Sequence, residues 1–312
     1  MSNPLRIGTR ESRLAVWQAR HVASLLDKHG IVSELIYIKS EGDQDRTTPL
    51  AEMGGKGVFT KALDDALLED KIDLAVHSFK DLPTENPLPL KVAAVLERED
   101  PRDVLVAPKG THFLDEDNNE AVIATGSPRR KAQWLNRYPK HRVVGLRGNV
   151  PTRIDKVTSE GWQGAIFAAA GLIRLGLEEE ISLRLDWMVP APAQGAVAVM
   201  VREEDRKLQE RIGPLGDEET TACTGAERRL LNRMEAGCSA PVGAYARMDG
   251  AEIELHAVAL SLDGSVRIET RRRGSAGQAK SLESLAEELG RQAADELLDR
   301  GAGELVGSES ER

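Results

Sequence analysis

Apolar and polar positions follow two rhythms along this chain, and the switches between them mark out its elements. Short apolar runs, "LRIGT", "VSELIYI", "IDLAVHS" and "KVAAVL", alternate with stretches in which apolar residues recur every three or four positions. Leu14, Trp17, Val22, Leu25 and Leu26 mark one helical face, and Val58, Phe59, Ala62, Leu63, Ala66 and Leu67 mark another. This predicts a β-α-β start and a first α/β domain. After "EREDPRD" the rhythm restarts, with strands at "DVLVA", "AVIAT", "RVVGL" and "AIFAAA" and helices beginning near Ser127 and Asn149, which predicts a second α/β domain. Beyond Gly216 a helix through Ala226, Leu230 and Met234 precedes alternating strands such as "IELHAVAL" and "VRIET" and a closing helix, the pattern of a small α+β domain. Residues 301–312 read as a frayed tail. A short echo links the halves: "IGTRESR" after the first strand and "IATGSPRR" after a later one would both lie at carboxyl ends of strands, where open α/β sheets place ligands.

Charge changes the picture locally. The chain of 312 residues has a net charge of −9, which gives no sign of a nucleic-acid or anionic-membrane partner. Yet from Ala121 to Ile154 there is no Asp or Glu against eight Lys and Arg, so the remainder carries −17. Several anionic groups are the ligand this block implies; a solvated basic face is the alternative. Ser127 and Pro128 read as N-cap and first helical residue, which sets Arg129 and Arg130 in a first turn where the helix dipole already favours negative charge. Two guanidinium forks there suit carboxylates or phosphates.

Other candidates are single residues. Ser78, Lys80 and Asp81 follow a buried strand, so Asp81 is either an acid or base, steadying a cation, or half of a surface ion pair. His77 is assigned a structural place. "EMGGKGVF" fails as a phosphate loop, since Leu50 stands where the first glycine is needed and Gly57 where Ser or Thr is needed. Ser40–Gly57, with Lys56, reads as a lid or as a plain surface loop. Two cysteines, Cys223 and Cys238, suit a reducing cytosol rather than a disulfide framework, and neither a signal peptide nor a membrane span is visible, which predicts a cytoplasmic protein. If the preceding helix ends near Gly237, Cys238 emerges on an accessible loop; taken alone, it reads better as a packed, inert thiol.

Taken in order, "RIGTRESRLAVWQA", "GGKGVFTKAL", "DLAVHSFKDLP", "EREDPRDV", "TGSPRRKAQ", "LRGNVPTR", "AAAGLIRLGL", "PAPAQGAV" and "GCSAPVGAY" resemble the porphobilinogen deaminase (hydroxymethylbilane synthase) family over nearly the whole chain. The resemblance implies two periplasmic-binding-protein-like (type II) α/β domains plus a small C-terminal α+β domain. Its boundaries would be 1–98 with 196–216, then 99–195 with an arginine-rich anion-binding cleft, then 217–312 with the cysteine loop. It further implies a dipyrromethane cofactor joined to Cys238 by a thioether. The activity implied is head-to-tail condensation of four porphobilinogen molecules with loss of ammonia, then hydrolytic release of hydroxymethylbilane. By the same resemblance Asp81 is catalytic, steadying azafulvene-like cations and assisting proton transfer. Arg10, Ser12, Gln18, Ser78, Lys80, Thr125, Ser127, Arg129, Arg130, Arg147, Arg153 and Arg174 would hold carboxylates or orient pyrroles, and a monomer is expected. A polyanionic product explains why an acidic chain would gather arginines. Charge reversal at Arg129 or Arg130 would then leave a folded protein unable to take up its cofactor. A binding protein without chemistry would need neither Cys238 nor Asp81, and an anion-dependent regulator would want a separate DNA- or partner-binding segment, which the sequence does not show.

Overall fold

The computed structural model describes residues 3–39, 60–85, 87, 89–115, 120–237 and 240–306. The chain divides into two compact units, residues 1–99 with 195–221, and residues 100–194 with 222–312.

In the first unit, β1 (Leu5–Thr9) leads into helix α1 (Arg13–Lys28), followed by β2 (Ser33–Tyr37), α2 (Lys61–Leu68), β3 (Leu74–Ser78) and β4 (Leu90–Val95). The chain returns later as β10 (Val197–Arg202). The sheet order is β2-β1-β3-β10-β4, with β1 parallel to β2 and β3 and the returning β10 antiparallel to β3 and β4. Nearly every residue of β3 and β10 is buried, which explains their continuous apolar runs. Helix α1 lays Ala19, Val22 and Leu26 on that sheet; burying such side chains is worth about 1.5–3 kcal/mol for each large one. Ser12 caps α1 by accepting from the Ala15 N–H at 3.3 Å. Where the chain re-enters, Gly195 adopts φ 91°, and a Cβ there would lie 2.3 Å from the Glu99 carbonyl oxygen, so this crossing demands glycine on both counts.

The second unit repeats the plan with β5 (Asp103–Val106), β6 (Val122–Ala124), α3 (Pro128–Arg137), β7 (Arg142–Val144), α4 (Val150–Ser159), β8 (Gly164–Ala168), α5 (Ala169–Arg174) and β9 (Leu183–Arg184). Its order, β7-β6-β8-β5-β9, keeps β6 parallel to β7 and β8 and inserts β5 antiparallel, so β6 holds the place that β1 holds in the first sheet. The echo between "IGTRESR" and "IATGSPRR" therefore falls on equivalent strand-to-helix turns. The Ser127 hydroxyl accepts from the Arg130 N–H, with Pro128 in the first turn, as the sequence predicts.

Helices α6 (Arg206–Ile212) and α7 (Glu218–Arg233) lead to an antiparallel sheet β11 (Val242–Asp249), β12 (Glu252–Leu260) and β13 (Arg267–Ser275), covered by α7, α8 (Leu282–Asp299) and the short α9 (Ala302–Val306). This is the expected α+β portion. Within the second unit, Val258 and Leu260 pack on Ala132 and Val189, and the Asn136 amide donates to the Gly264 carbonyl at 2.8 Å. Buried Glu227 of α7 accepts from the backbone N–H groups of Ala193 and Ala246 at 2.6 and 2.7 Å, which ties Ala193, at φ 60°, to β11. One local expectation is corrected: α7 ends at Arg233, and Glu235 (φ 52°), not Gly237, takes the left-handed position. Cys223 packs in α7 as a buried thiol outside any disulfide.

Candidate active site

The carboxyl end of β1, the amino ends of α1 and α2, and the turn after β3 enclose a cavity of about 90 Å³ in the first unit. One water needs roughly 10–15 Å³, so the space exceeds a single solvent molecule severalfold. Arg10, Ser12, Gln18, Ser78 and Asp81 line it together, although the first and last lie 71 positions apart in the chain. A single turn of 3₁₀ helix, Phe79–Asp81, buries Phe79 and directs Asp81 outward. The Phe79 N–H donates to the Ala196 carbonyl at 3.0 Å, which anchors that turn to the returning strand. Gln18 is 2% exposed and donates through Nε2 to Ser78 Oγ at 2.9 Å, so a buried amide fixes the hydroxyl beside the cavity. Lys80 is half-buried beside these groups and does not line the cavity.

Two further residues line the cavity that the sequence reading did not assign to it, His77 and Thr60. Burial, with the positive charge of Arg10 adding to it, lowers the His77 pKa to about 3, so the ring is neutral at physiological pH. Thr60 could have been noticed as a hydroxyl at the start of a helical pattern. His77 gave no signal beyond its place beside Ser78.

The matching turn of the second unit is built differently. Thr125 Oγ1 accepts the Ser127 N–H at 3.2 Å, and both follow β6. Arg129 and Arg130 are 3% and 8% exposed. Arg129 donates through Nη1 to Asp103 Oδ2 at 2.6 Å and to the Val189 carbonyl at 2.7 Å; Arg130 donates through Nε to Asp103 Oδ1 at 2.8 Å and through Nη1 to the Ile166 carbonyl at 3.1 Å. Gln194 Nε2 adds a bond to Asp103 at 3.0 Å. Burial alone would raise the Asp103 pKa, but the two guanidinium charges override it and hold the carboxyl far below its usual range. Burial, together with the like charge of Arg129, lowers the Arg130 pKa. This corrects the premise that the basic block is uncompensated: an acid outside it, at the head of "DVLVA", neutralises part of it. An acid opening an otherwise buried apolar strand was the available signal.

The other arginines stand apart. Arg153 donates through Nε to the Gly148 carbonyl at 2.5 Å, at the turn that also carries Arg147, and Arg174 ends α5 in a buried position. Arg137 stacks over Trp187, 5.0 Å from the ring centroid, which accounts for one more charge of the block. Cys238, Lys56 and the rest of the expected loop, Ser40–Gly57, lie outside the described residues.

Among solved structures, the chain is similar to the methionine binding protein MetQ, with 13% identity, 68% of this chain and 89% of that one covered, and a TM-score of 0.43. It is also similar to an ABC transporter periplasmic substrate-binding protein from Coxiella burnetii, with 14% identity, 68% and 91% covered and a TM-score of 0.42. The VFT2 domain of Bordetella pertussis BvgS matches at 12% identity, with 70% and 90% covered and a TM-score of 0.42. Residues 5–210 match the family described as porphobilinogen deaminase, dipyromethane cofactor binding domain, and residues 221–299 match porphobilinogen deaminase, C-terminal domain. The chain therefore belongs to the porphobilinogen deaminase family and is a hydroxymethylbilane synthase, a transferase of tetrapyrrole biosynthesis with a dipyrromethane cofactor-binding domain.

Proposed function

We propose that the cavity beside Asp81 is where this enzyme holds a pyrrole ring during condensation, with Asp81 as the catalytic carboxylate and Cys238 as the point of cofactor attachment. The observation that carries the reading is the pairing of opposite chemistries on one cavity: Arg10, Ser12, Gln18 and Ser78 supply donors for acetate and propionate, and Asp81 supplies an acceptor for ring N–H. This donor set fits a dipyrromethane, whose rings carry both kinds of group. When bound, the cofactor supplies the nucleophilic pyrrole carbon from which the chain grows.

The protein's part is binding, orientation and charge. Asp81, at the cavity mouth, sets its carboxyl group beside the cationic ring and serves as acceptor for its N–H, while Arg10 holds a carboxylate and prevents the ring from turning. Neutral His77 adds no second cation next to the developing positive charge. Lys80, and Thr125, Ser127, Arg147, Arg153 and Arg174 in the second unit, are proposed to hold carboxylates of porphobilinogen or of the growing product. Arg129 and Arg130 are proposed to serve the same end, through the net positive charge that two guanidinium groups leave over one carboxylate. Lys56 is proposed to belong to a lid. The proposal keeps three domains, 1–98 with 196–216, 99–195 and 217–312, and a monomeric, cytoplasmic enzyme acting on porphobilinogen. Among the described residues no helix is long and apolar enough to cross a membrane.

The test is Asp81→Asn in protein that has taken up its cofactor, confirmed by peptide mass mapping of Cys238. Loss of at least about a hundredfold in porphobilinogen turnover, with unchanged thermal stability, is expected. Near-normal turnover would return Asp81 to the role of a surface ion-pair residue.

A further inference from the structure

The buried apolar stripe of α1 stops one member short. Positions 15, 19, 22 and 26 follow one another by a turn on one face of that helix, and Ala19, Val22 and Leu26 are completely buried in the core of the first unit. On β3 the alternate residues Leu74 and Val76 join the same cluster. The next residue on that face of β3 is Ser78, which accepts from the Gln18 amide at 2.9 Å. The next member of the stripe on α1 is Ala15, half-buried, with its N–H bonded to Ser12 Oγ. There the core gives way to the cavity of about 90 Å³, about three times the volume a water molecule takes in the liquid. Of its ten lining residues three are apolar, Leu14, Ala15 and Val76.

Nothing in the helix requires alanine at position 15 in place of a larger apolar side chain. Leucine and methionine are nearly as good helix formers, and either would carry the stripe onward and bury more apolar surface. Open space at the end of a packed interface forgoes that stability. The lining is also divided in character. It is apolar at Ala15 and Val76, and polar at Arg10, Ser12, Gln18, Ser78 and Asp81. Such a division suits a flat aromatic ring, whose faces are apolar and whose edge carries an N–H and carboxylate arms.

We infer that Ala15 is a specificity-determining residue of this enzyme: its single methyl keeps the end of the α1–β3 interface open, as the apolar seat on which one face of a pyrrole ring rests, with Val76 beside it. The inference rests on the reading of this cavity as the pyrrole site. Stability and binding then make opposite demands on one side chain. A larger apolar residue at position 15 completes the core and excludes the ring, whereas alanine leaves the core short and admits it. The polar lining residues act on the edge of the ring and on its carboxylates; Ala15 acts on its bulk.

The experiment makes Ala15→Leu and Ala15→Met in the full-length enzyme. Thermal midpoints are compared with wild type at equal cofactor content, read from the intact mass, and kcat and KM for porphobilinogen are measured per loaded enzyme. Both variants should melt about 2–4 °C above wild type. Both should raise KM at least about tenfold, with a smaller change in kcat. A midpoint and a KM that rise together are not what packing damage produces, since damage lowers the midpoint. Folded protein with a raised midpoint that takes up no cofactor supports the inference equally, because a dipyrromethane is built of the same rings. Wild-type KM in both variants would overturn it, as would a raised KM with a lowered midpoint in both, which marks a disturbed helix start and not a filled seat. Asp81→Asn separates the two readings: if it is inactive while Ala15→Leu keeps the wild-type KM, the inference about Ala15 fails alone, and if Asp81→Asn is active the site itself is misplaced.

Discussion

The turns after β1 and β6 occupy equivalent places in two sheets of one topology, each followed by a serine-capped helix and each rich in arginine, yet they use charge in opposite ways. After β1, Arg10 and Asp81 both line a cavity. After β6, Arg129 and Arg130 are drawn inward onto Asp103, which is completely buried. The difference lies in where the acid is. Asp81 sits on an exposed turn beyond β3, whereas Asp103 is the first residue of β5, the strand inserted antiparallel into the second sheet. A local count of charge cannot distinguish a cation that meets a ligand from one that meets the fold.

The largest expected effect attacks the buried side. Asp103→Asn leaves two guanidinium groups in the interior without a counter-charge, and loss of one partner of a buried pair costs about 3–5 kcal/mol. Urea unfolding should show it as a drop in midpoint with unchanged slope. Arg129→Glu or Arg130→Glu should do worse, because a second carboxylate then faces Asp103; failure to fold, rather than folded protein without cofactor, is the corrected expectation. On the open side, Asp81→Asn should cost turnover and leave the unfolding midpoint alone. Equal loss of stability at Asp81 and Asp103 would erase the contrast.

What the sequence made legible was local. Strand and helix alternation, the Ser127 and Pro128 start of α3 and the Asn149 cap of α4 depend on neighbours within a turn, and the structure has them. The contact of Arg129 with Asp103 joins residues 26 positions apart, and it exists because β5 pairs with β8. Insertion of β5 and β10 as antiparallel strands cannot be read from apolar runs, since a buried strand looks the same in either direction. The cavity is of the same kind: Arg10 and Asp81 could be nominated from their motifs, but Thr60 and His77 enter it through the packing of α2 and β3. Gly237 was the natural helix terminator by residue type, yet Glu235 took the left-handed position, a case of tertiary context overriding propensity.

Acidity offers a third and smaller contrast. The native state keeps His77 unprotonated down to about pH 3, while the unfolded chain takes up that proton near pH 6.5. Stability from this group is therefore whole above pH 6.5 and falls by about 1.4 kcal/mol per unit as pH drops below it. Asp64 has the opposite sign: raised to about 6 from 3.8, it stabilises the native state below pH 3.8, and that contribution is lost as pH rises through 6. The two offset each other between about pH 4 and 6. Relative to wild type, His77→Gln should thus gain stability as pH is lowered from 6.5. The Asp103 pair, with its pKa depressed, is present above the ordinary carboxylate range and should not titrate until well below it. Thermal midpoints of His77→Gln and Asp103→Asn across pH 4–7 read this directly; a parallel pH dependence in the two variants would contradict it.

The smallest effect tests whether the two turns differ at their caps as they do at their arginines. Ser12 and Ser127 accept from the third residue onward at 3.3 and 3.5 Å, both long for such bonds, so Ser→Ala at either should cost near the low end of the usual range, about 0.5–1 kcal/mol. Glycine is tolerated at an N-cap at a cost of only a few tenths of a kcal/mol, so Ser→Gly should recover most of that stability at both sites. Binding behaves otherwise, because glycine has no hydroxyl to offer a carboxylate. If each serine also touches substrate, Ala and Gly variants should share a raised KM while differing in stability. The double variant Ser12→Gly, Ser127→Gly should then be additive in unfolding free energy, since the two caps share no partner. Should KM follow stability across the four single variants, rising in the Ala pair and recovering in the Gly pair, both serines act as caps alone, and the chemistry of the first turn rests on Arg10 and Asp81.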